Sequence, residues 1–181
     1  GDLTKYPWQT GGNIGWDITN QYTYEGSYCV KSGAITHNQT SEITLVYETM
    51  SADSIVFYRK VSSEPNDYLK FFINNIQMDQ WSGTTGGWKR QAYAVTPGVK
   101  TFKWVYIKSS TGTTGSDCAW IDLITLPVPM ALTIWAGPND DVCNGGTYQL
   151  NDAYGTDFSS ILWNTTGTGT FNDNTVMHPV Y

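Results

Sequence analysis

Charge is scarce in this chain, and positive charge scarcest: charged residues make up 14% of 181 positions, and ten Lys and Arg face sixteen Asp and Glu for a net charge of −6. A surface of that sign repels a phosphate backbone, which argues against nucleic acid as a partner. Histidine is nearly missing. His37 and His178 are the two present, and no G-x-S-x-G or H-E-x-x-H accompanies them, so hydrolase triads and zinc proteases lack their parts. Cysteine is sparse and odd in number, at Cys29, Cys118 and Cys143. No two of them have C-x-x-C spacing, which argues against zinc. Cys29 and Cys118 fall in different predicted strands and read as two small buried thiols, a disulfide between them staying open if those strands are neighbours. No apolar run approaches the ~18–20 residues of a membrane span, so no membrane insertion is expected. No basic-then-apolar leader opens the sequence, which reads as a mature chain or one cut to begin there. Aromatic residues, by contrast, are plentiful at 14%, with 8 Trp and 12 Tyr. Set in Thr- and Gly-rich stretches with few cations, they suggest a secreted protein, extracellular or held at the cell surface.

Residues 54–73 anchor the reading of the fold. Ile55, Phe57 and Val61 alternate with polar or amphipathic residues, and Leu69, Phe71 and Ile73 share one face with Tyr68, Lys70 and Phe72 on the other. A period of two marks half-buried antiparallel strands. Between them, residues 62–67 carry Pro65, Asn66 and Asp67, which predicts a polar turn and hence a central hairpin. Further strands are predicted over 16–19, 27–32, 43–47, 91–95, 100–108 and 118–124. In the strand at 100–108, Phe102, Trp104 and Tyr106 share a face opposite Lys103, Val105 and Ile107. Residues 1–15 and the Gly/Thr stretch around 82–87 read as loops, and no stretch has helical periodicity. Short strands with Gly/Pro turns predict an all-β protein, an antiparallel jelly-roll β-sandwich. The stiff segment Leu126-Pro127-Val128-Pro129 divides it, giving a jelly roll over 1–128 and a second β-module over 129–181. That module has a strand at 131–135, apolar segments at 148–150 and 161–163, and too few strands to close an immunoglobulin-like sandwich.

Catalytic groups do not assemble. Glu42 and Glu48 lie six residues apart on one strand face, whereas a sandwich glycosidase sets acid and nucleophile closer, with a third carboxylate between them. The chain reads as no enzyme. Binding chemistry is better represented, because the apolar face of a pyranose stacks on Trp or Tyr while nearby polar groups bond its hydroxyls. Trp81 and Trp88 flank the Gly/Thr loop, where burial is hard to arrange, and serve either as ligand contacts or as loop anchors. Trp8, Trp16, Tyr22 and Tyr24 are the alternatives on the N-terminal side, while Phe102, Trp104 and Trp120 lie in regular strands and read as core. Glu25, at the start of an early strand, and Asp122, near the end of the last jelly-roll strand, can meet in space. Hard oxygen ligands of that kind suit Ca²⁺, with Asp117 and Asp17 as weaker additions; otherwise these carboxylates are solvated or cap turns.

Several pieces, taken as a set, carry a resemblance. They are Glu25-Gly26-Ser27-Tyr28 with Lys31-Ser32-Gly33, then residues 57–64 (FYRKVSSE) with Asp67-Tyr68-Leu69, Trp81-Ser82-Gly83, Phe102-Lys103-Trp104-Val105-Tyr106, and residues 115–122 (GSDCAWID). Over residues 16–127 the chain resembles jelly-roll modules of the cleaved-adhesin and MAM-like group in secreted and surface proteins of the Bacteroidetes, related in shape to many carbohydrate-binding modules. The resemblance implies a non-catalytic domain of a multidomain surface protein or polysaccharide-degrading enzyme. Its partner would be a glycan or polysaccharide; the alternative is a surface protein, bound by an adhesin or structural spacer. It also implies a structural Ca²⁺, which fits Glu25 and Asp122. One departure is Ser109-Ser110 after Lys108, where such modules often carry an acid. The second segment, from Cys143-Asn144-Gly145-Gly146 to Trp163 and Phe171, resembles the start of immunoglobulin-like repeats in the same proteins. There the early cysteine pairs with one near the repeat's end, so Cys143 is expected here as a free thiol.

Overall fold

Alternating burial organises the chain into strands, and among the described residues no helix occurs. The computed structural model describes residues 3–84, 86–127, 134–156 and 160–181. These fall into two compact units, Gly1–Pro129 and Met130–Tyr181.

In the first unit the strands are β1 (Gln9–Gly12), β2 (Asp17–Thr19), β3 (Cys29–Lys31), β4 (Thr40–Thr49), β5 (Asp53–Ser62), β6 (Tyr68–Ile73), β7 (Ile76–Ser82), β8 (Lys89–Val95), β9 (Gly98–Ile107) and β10 (Cys118–Thr125). They form two five-stranded antiparallel sheets, β1-β4-β9-β6-β7 and β2-β3-β10-β5-β8. This is an antiparallel jelly-roll sandwich, as the alternation predicts. Ile55, Phe57 and Val61 project from one sheet toward Ile43, Leu45, Leu69, Phe71, Phe102, Trp104 and Tyr106 of the other, all of them buried. Edge-on contacts from Phe57 to Phe71 (4.9 Å) and to Trp104 (5.2 Å) join the two layers. Such pairs add ~0.5–1.5 kcal/mol each beyond the area they bury.

The expected central hairpin is corrected. β5 pairs with β10 and β8, whereas β6 pairs with β9 and β7, so the two lie in opposite sheets. Residues 62–67 are a corner from one layer to the other. Alternation reports that a strand has one buried face; both layers of a sandwich satisfy it, so it does not report the partner. The corner also differs chemically from an exposed hairpin tip, because Asp67 at its end is fully buried. The hairpin of this region is β6–β7, turned by Asn74 and Asn75 at φ 51° and 64°. Two consecutive left-handed residues are what a two-residue hairpin of matching twist requires, and Asn tolerates that conformation better than most side chains. β1 and β7 are both edge strands of the same sheet; β1 occupies a stretch read as loop, and β7 one where no strand is predicted. Each is paired on one side and largely exposed, so neither shows a clean apolar alternation.

In the second unit β11 (Ile134–Trp135) pairs with β12 (Tyr154–Gly155), and an isolated bridge joins Gln149 to Val180. Of the predicted linker and of the strand over 131–135, residues 128–133 lie outside the described residues. Segment 148–150 supplies the bridge, and segment 161–163 is not a strand. Phe171 stands 6.1 Å from Trp163 and 5.1 Å from Tyr181, ring to ring.

Candidate binding face

In β10, Ala119 and Ile121 point into the core, so Cys118, Trp120 and Asp122 project from the outer face of the sheet. An indole there would normally be open to water, yet Trp120 is 2% exposed. Side chains from neighbouring strands and loops cover it. Tyr22 meets it edge-on at 5.4 Å, and the Lys60 ammonium stands 5.3 Å from its ring. Trp88 packs against the small cluster of Cys29, Cys118 and Trp120.

The covering residues hold one another. Trp88 Nε1 donates to the Tyr22 carbonyl at 3.1 Å, which ties the stretch after β7 to the stretch after β2. Tyr24 stacks on Tyr58 with ring centroids 3.8 Å apart and meets Trp88 edge-on at 6.0 Å. Lys60 Nζ lies over the Tyr22 ring at 4.1 Å. Tyr22 adopts φ 63°, a left-handed conformation that costs a side chain with a Cβ ~1 kcal/mol or more and persists where surrounding contacts enforce it. The two tyrosines remain open, Tyr22 at 57% and Tyr24 at 43% exposure, where an unconstrained aromatic cluster would bury them. Beside Tyr22 lies a groove of about 320 Å³ bordered by Lys60, Ser62, Thr84, Ser116 and Trp120. Trp120 Nε1 is buried and, among the described residues, has no hydrogen-bond partner.

Three of the aromatic residues singled out from sequence, Tyr22, Tyr24 and Trp88, therefore meet on one face, with Trp88 as a half-buried anchor. The other three lie elsewhere. Trp16 is a core residue, its Nε1 donating to the Ser41 carbonyl at 3.0 Å. Trp81 belongs to β7, not to the loop after it. It packs against the core, with the Arg59 guanidinium 4.3 Å from its ring. Arg59 is itself buried, its Nε and Nη1 unpaired, and burial draws its pKa down to about 10. Trp8 packs on Trp104 at 6.0 Å and borders a separate groove of about 580 Å³. Tyr58, Lys60 and Trp120 are the contributors the sequence reading left out. A signal was present: all three occupy the face opposite the core residues of β5 and β10.

Glu25 and Asp122 do meet, and both border the groove beside Trp8. The contact is between a carboxylate and backbone amides. Asp122 Oδ2 accepts from the N–H of Tyr24 (2.8 Å) and of Glu25 (3.2 Å), and Oδ1 accepts from Leu123 N–H (2.7 Å). Asp122 thus clamps the 24–25 turn to the end of β10. Calcium takes six to eight oxygens, and among the described residues no three ligating side chains come together. Glu25 and Asp122 alone supply fewer oxygens than that. Asp17 accepts from its neighbour Ile18 N–H, and Asp117 is engaged by Lys108 and Tyr106.

Lys108 is buried between Asp67 Oδ2, at 3.2 Å, and Asp117. Ser109 follows, where the resemblance leads one to expect an acid. Its N–H donates to Asp67 Oδ1 (2.7 Å) and its hydroxyl to Glu64 Oε1 (2.7 Å). An acid at that position would set a third carboxylate against two existing ones, so a donor is what fits. His37 Nε2 bonds the Gly112 carbonyl at 3.0 Å and His178 Nε2 the Ala153 carbonyl at 2.9 Å, both within loop structure. Cys29 and Cys118 are free, as is exposed Cys143. Val30 pairs with Ile121, which sets Cys29 opposite Asp122, four residues along β10 from Cys118. At ~3.3 Å per residue that is ~13 Å, beyond the ~7 Å reach of a disulfide. Burial pushes both thiols up to about 11.

No protein-family model matches the chain, and no curated protein matches it. Among solved structures it is similar to a K1 cleaved adhesin domain of Lys-gingipain from Porphyromonas gingivalis, at 13% identity and TM-score 0.49, over 65% of this chain and 88% of that one. A carbohydrate-binding module, TmCBM61, solved with β-1,4-galactotriose, aligns at 12% identity and TM-score 0.46, over 65% of this chain and 86% of that one. The secreted serine protease VesC from Vibrio cholerae aligns at 19% identity and TM-score 0.47, over 61% of this chain and 23% of that one. The match thus spans less than a quarter of the protease.

Proposed function

We propose that the first unit is a non-catalytic binding module that holds a glycan, outside the cell, on the aromatic face around Tyr22. One observation carries the reading: a tyrosine ring held open at 57% exposure beside a groove bordered by hydroxyls and an ammonium. Sugar recognition needs those two things together, a ring for the apolar face of the pyranose and polar groups placed for its hydroxyls. Tyr24, Tyr58 and Trp88 hold the adjoining surface in shape and extend it.

The rival reading, a surface-protein adhesin or structural spacer, is supported by exposed Val46 and Val99 on the opposite sheet and by Ile76 and Met78 on the edge strand β7. These side chains offer no hydrogen-bonding groups for a sugar, which is why the Tyr22 face is favoured. Affinity electrophoresis through plant, fungal and host polysaccharides separates the two. Retardation by at least one polysaccharide, lost in Tyr22→Ala with the fold intact by circular dichroism, is expected. Free migration through all of them would move the assignment to protein binding.

Two accessory proposals stand apart from that one. Reading the second unit as the opening of an immunoglobulin-like module is supported by its sequence resemblance and by the β11–β12 pair. A structural calcium at Glu25 and Asp122 is supported by their meeting, and it would need the Glu25 side chain, carbonyls and water to complete its shell. A ligand of the folded state raises the melting temperature by mass action. A rise on adding Ca²⁺ to chelated protein would establish calcium; no change would leave Asp122 as a turn clamp.

A further inference from the structure

The groove beside Tyr22 has an unusual charge for this protein. The chain carries a net −6, yet no carboxylate borders the groove, and Lys60 does. Its ammonium sits over Tyr22 at 4.1 Å, and among the described residues no Asp or Glu stands within ion-pair distance of it. The acids nearest in sequence are engaged elsewhere: Glu64 accepts from Ser109, and Asp117 from Lys108 and Tyr106. Lys31 adds a second cation on the same face, 5.9 Å from the Trp120 ring, with Asp17 directly across from it on β2, while Asp122 on that face is taken up by the backbone amides of Tyr24, Glu25 and Leu123.

The polar groups around the groove are predominantly donors. Lys60 offers N–H donors and no lone pair, and Thr84 and Ser116 offer hydroxyls that donate or accept. Ser62 Oγ is already accepting from Ser116 N–H at 2.9 Å, which leaves its own O–H to donate. Trp120, 2% exposed, contributes its ring to the border of the groove. A site with a cation and donor-capable hydroxyls matches a ligand rich in acceptors and bearing negative charge.

We propose that this groove selects acidic saccharides: a pyranose stacked on Tyr22 with an anionic substituent, carboxylate or sulfate, held by Lys60. The proposal rests on the glycan reading above and narrows it to a substrate class. Lys60 sets the preference for charge, and Tyr22 sets binding as such.

Isothermal titration of the full chain with oligosaccharides of one length tests it: an oligogalacturonate for carboxylate, a sulfated galactan fragment for sulfate, and a neutral galacto-oligosaccharide. At least one acidic ligand should bind about tenfold or more tighter than the neutral one, and 0.5 M NaCl should narrow the gap. Lys60→Met should abolish the preference for the acidic ligand over the neutral one, and Lys60→Arg should retain it. Near-UV circular dichroism of each variant checks that Trp120 stays packed. Equal or tighter binding of the neutral ligand, or an acidic preference that survives Lys60→Met, would overturn the proposal and leave the glycan reading standing. No heat with any saccharide, acidic or neutral, would overturn both.

Discussion

Lys108 and Asp67 show what a buried charge requires in a sandwich built from so few charged residues. Burial alone would lower the lysine pKa, but Asp117 and Asp67 outweigh it and the pKa is raised. Burial alone would raise Asp67, but the Ser109 and Lys108 hydrogen bonds outweigh it and the pKa is lowered. The sign for stability follows from linkage. A depressed carboxylate stabilises the fold above its unfolded pKa of ~3.9, and that contribution is lost as pH falls through the lower folded value. A raised lysine stabilises below ~10.4 and loses that contribution as pH climbs through its folded value. The pair therefore gives a melting temperature that is flat between about pH 5 and pH 9. The acid limb should soften in Asp67→Asn, as thermal scans across pH would register. Lys108→Met strands Asp67 in the interior and should cost about 3–5 kcal/mol in denaturant titration; a loss under 1 kcal/mol would contradict the buried network. Residue identity was legible only in part. That Phe102, Trp104 and Tyr106 share a buried face follows from alternation. That Trp120 is buried on the opposite face of its sheet does not, because its cover comes from Tyr22, Lys60 and Trp88, all far from it in sequence.

At the scale of elements, the sequence was clearest where a strand buries one face and least clear where tertiary context decides. The strands carrying Ile55–Val61 and Leu69–Ile73 were found, and their pairing was misread, since a corner and a hairpin both call for a polar turn. Asn74-Asn75 was the local hairpin signal, and it lay outside the predicted strands. The segment between β9 and β10 is positioned by a different device. Gly112 takes φ 88°, and a Cβ there would overlap the Glu64 carboxylate, while its carbonyl accepts from or faces His37 Nε2 at 3.0 Å. Gly112→Ala combines left-handed strain with that overlap and should destabilise by ~1–3 kcal/mol. The double substitution Gly112→Ala with Glu64→Ala should recover the part due to overlap and not the part due to φ. Equal stability of Gly112→Ala and wild type in urea would show that this loop does not lie against Glu64.

Across the whole molecule the three thiols report on both units at once. Cys29 and Cys118 are buried with pKa values pushed up to about 11, and Cys143 is exposed. Because the thiolate is the reacting species, an aromatic disulfide reagent at pH 8 should modify Cys143 promptly in the folded protein and all three only after denaturation. One reactive thiol in denaturant would mean that two of the three are joined. The charge distribution has the same breadth: Lys31 and Lys60 share with Asp17 and Asp122 the face that also gathers the open tyrosines. The sequence showed the tyrosines and the shortage of cations separately, and only the β5–β10 and β3–β10 pairings place them together.

The indole N–H of Trp120 gives the most direct measurement of whether that face is the binding site. Among the described residues it meets no protein acceptor, and a ¹H–¹⁵N correlation spectrum reads it directly. Titration with a polysaccharide fragment that retards the protein should shift the Trp120 Nε1–H signal, together with the backbone amides of Tyr22 and Lys60. Shifts centred instead on Tyr68 and Phe72, on the outer face of the opposite sheet, with Trp120 unmoved, would contradict the account.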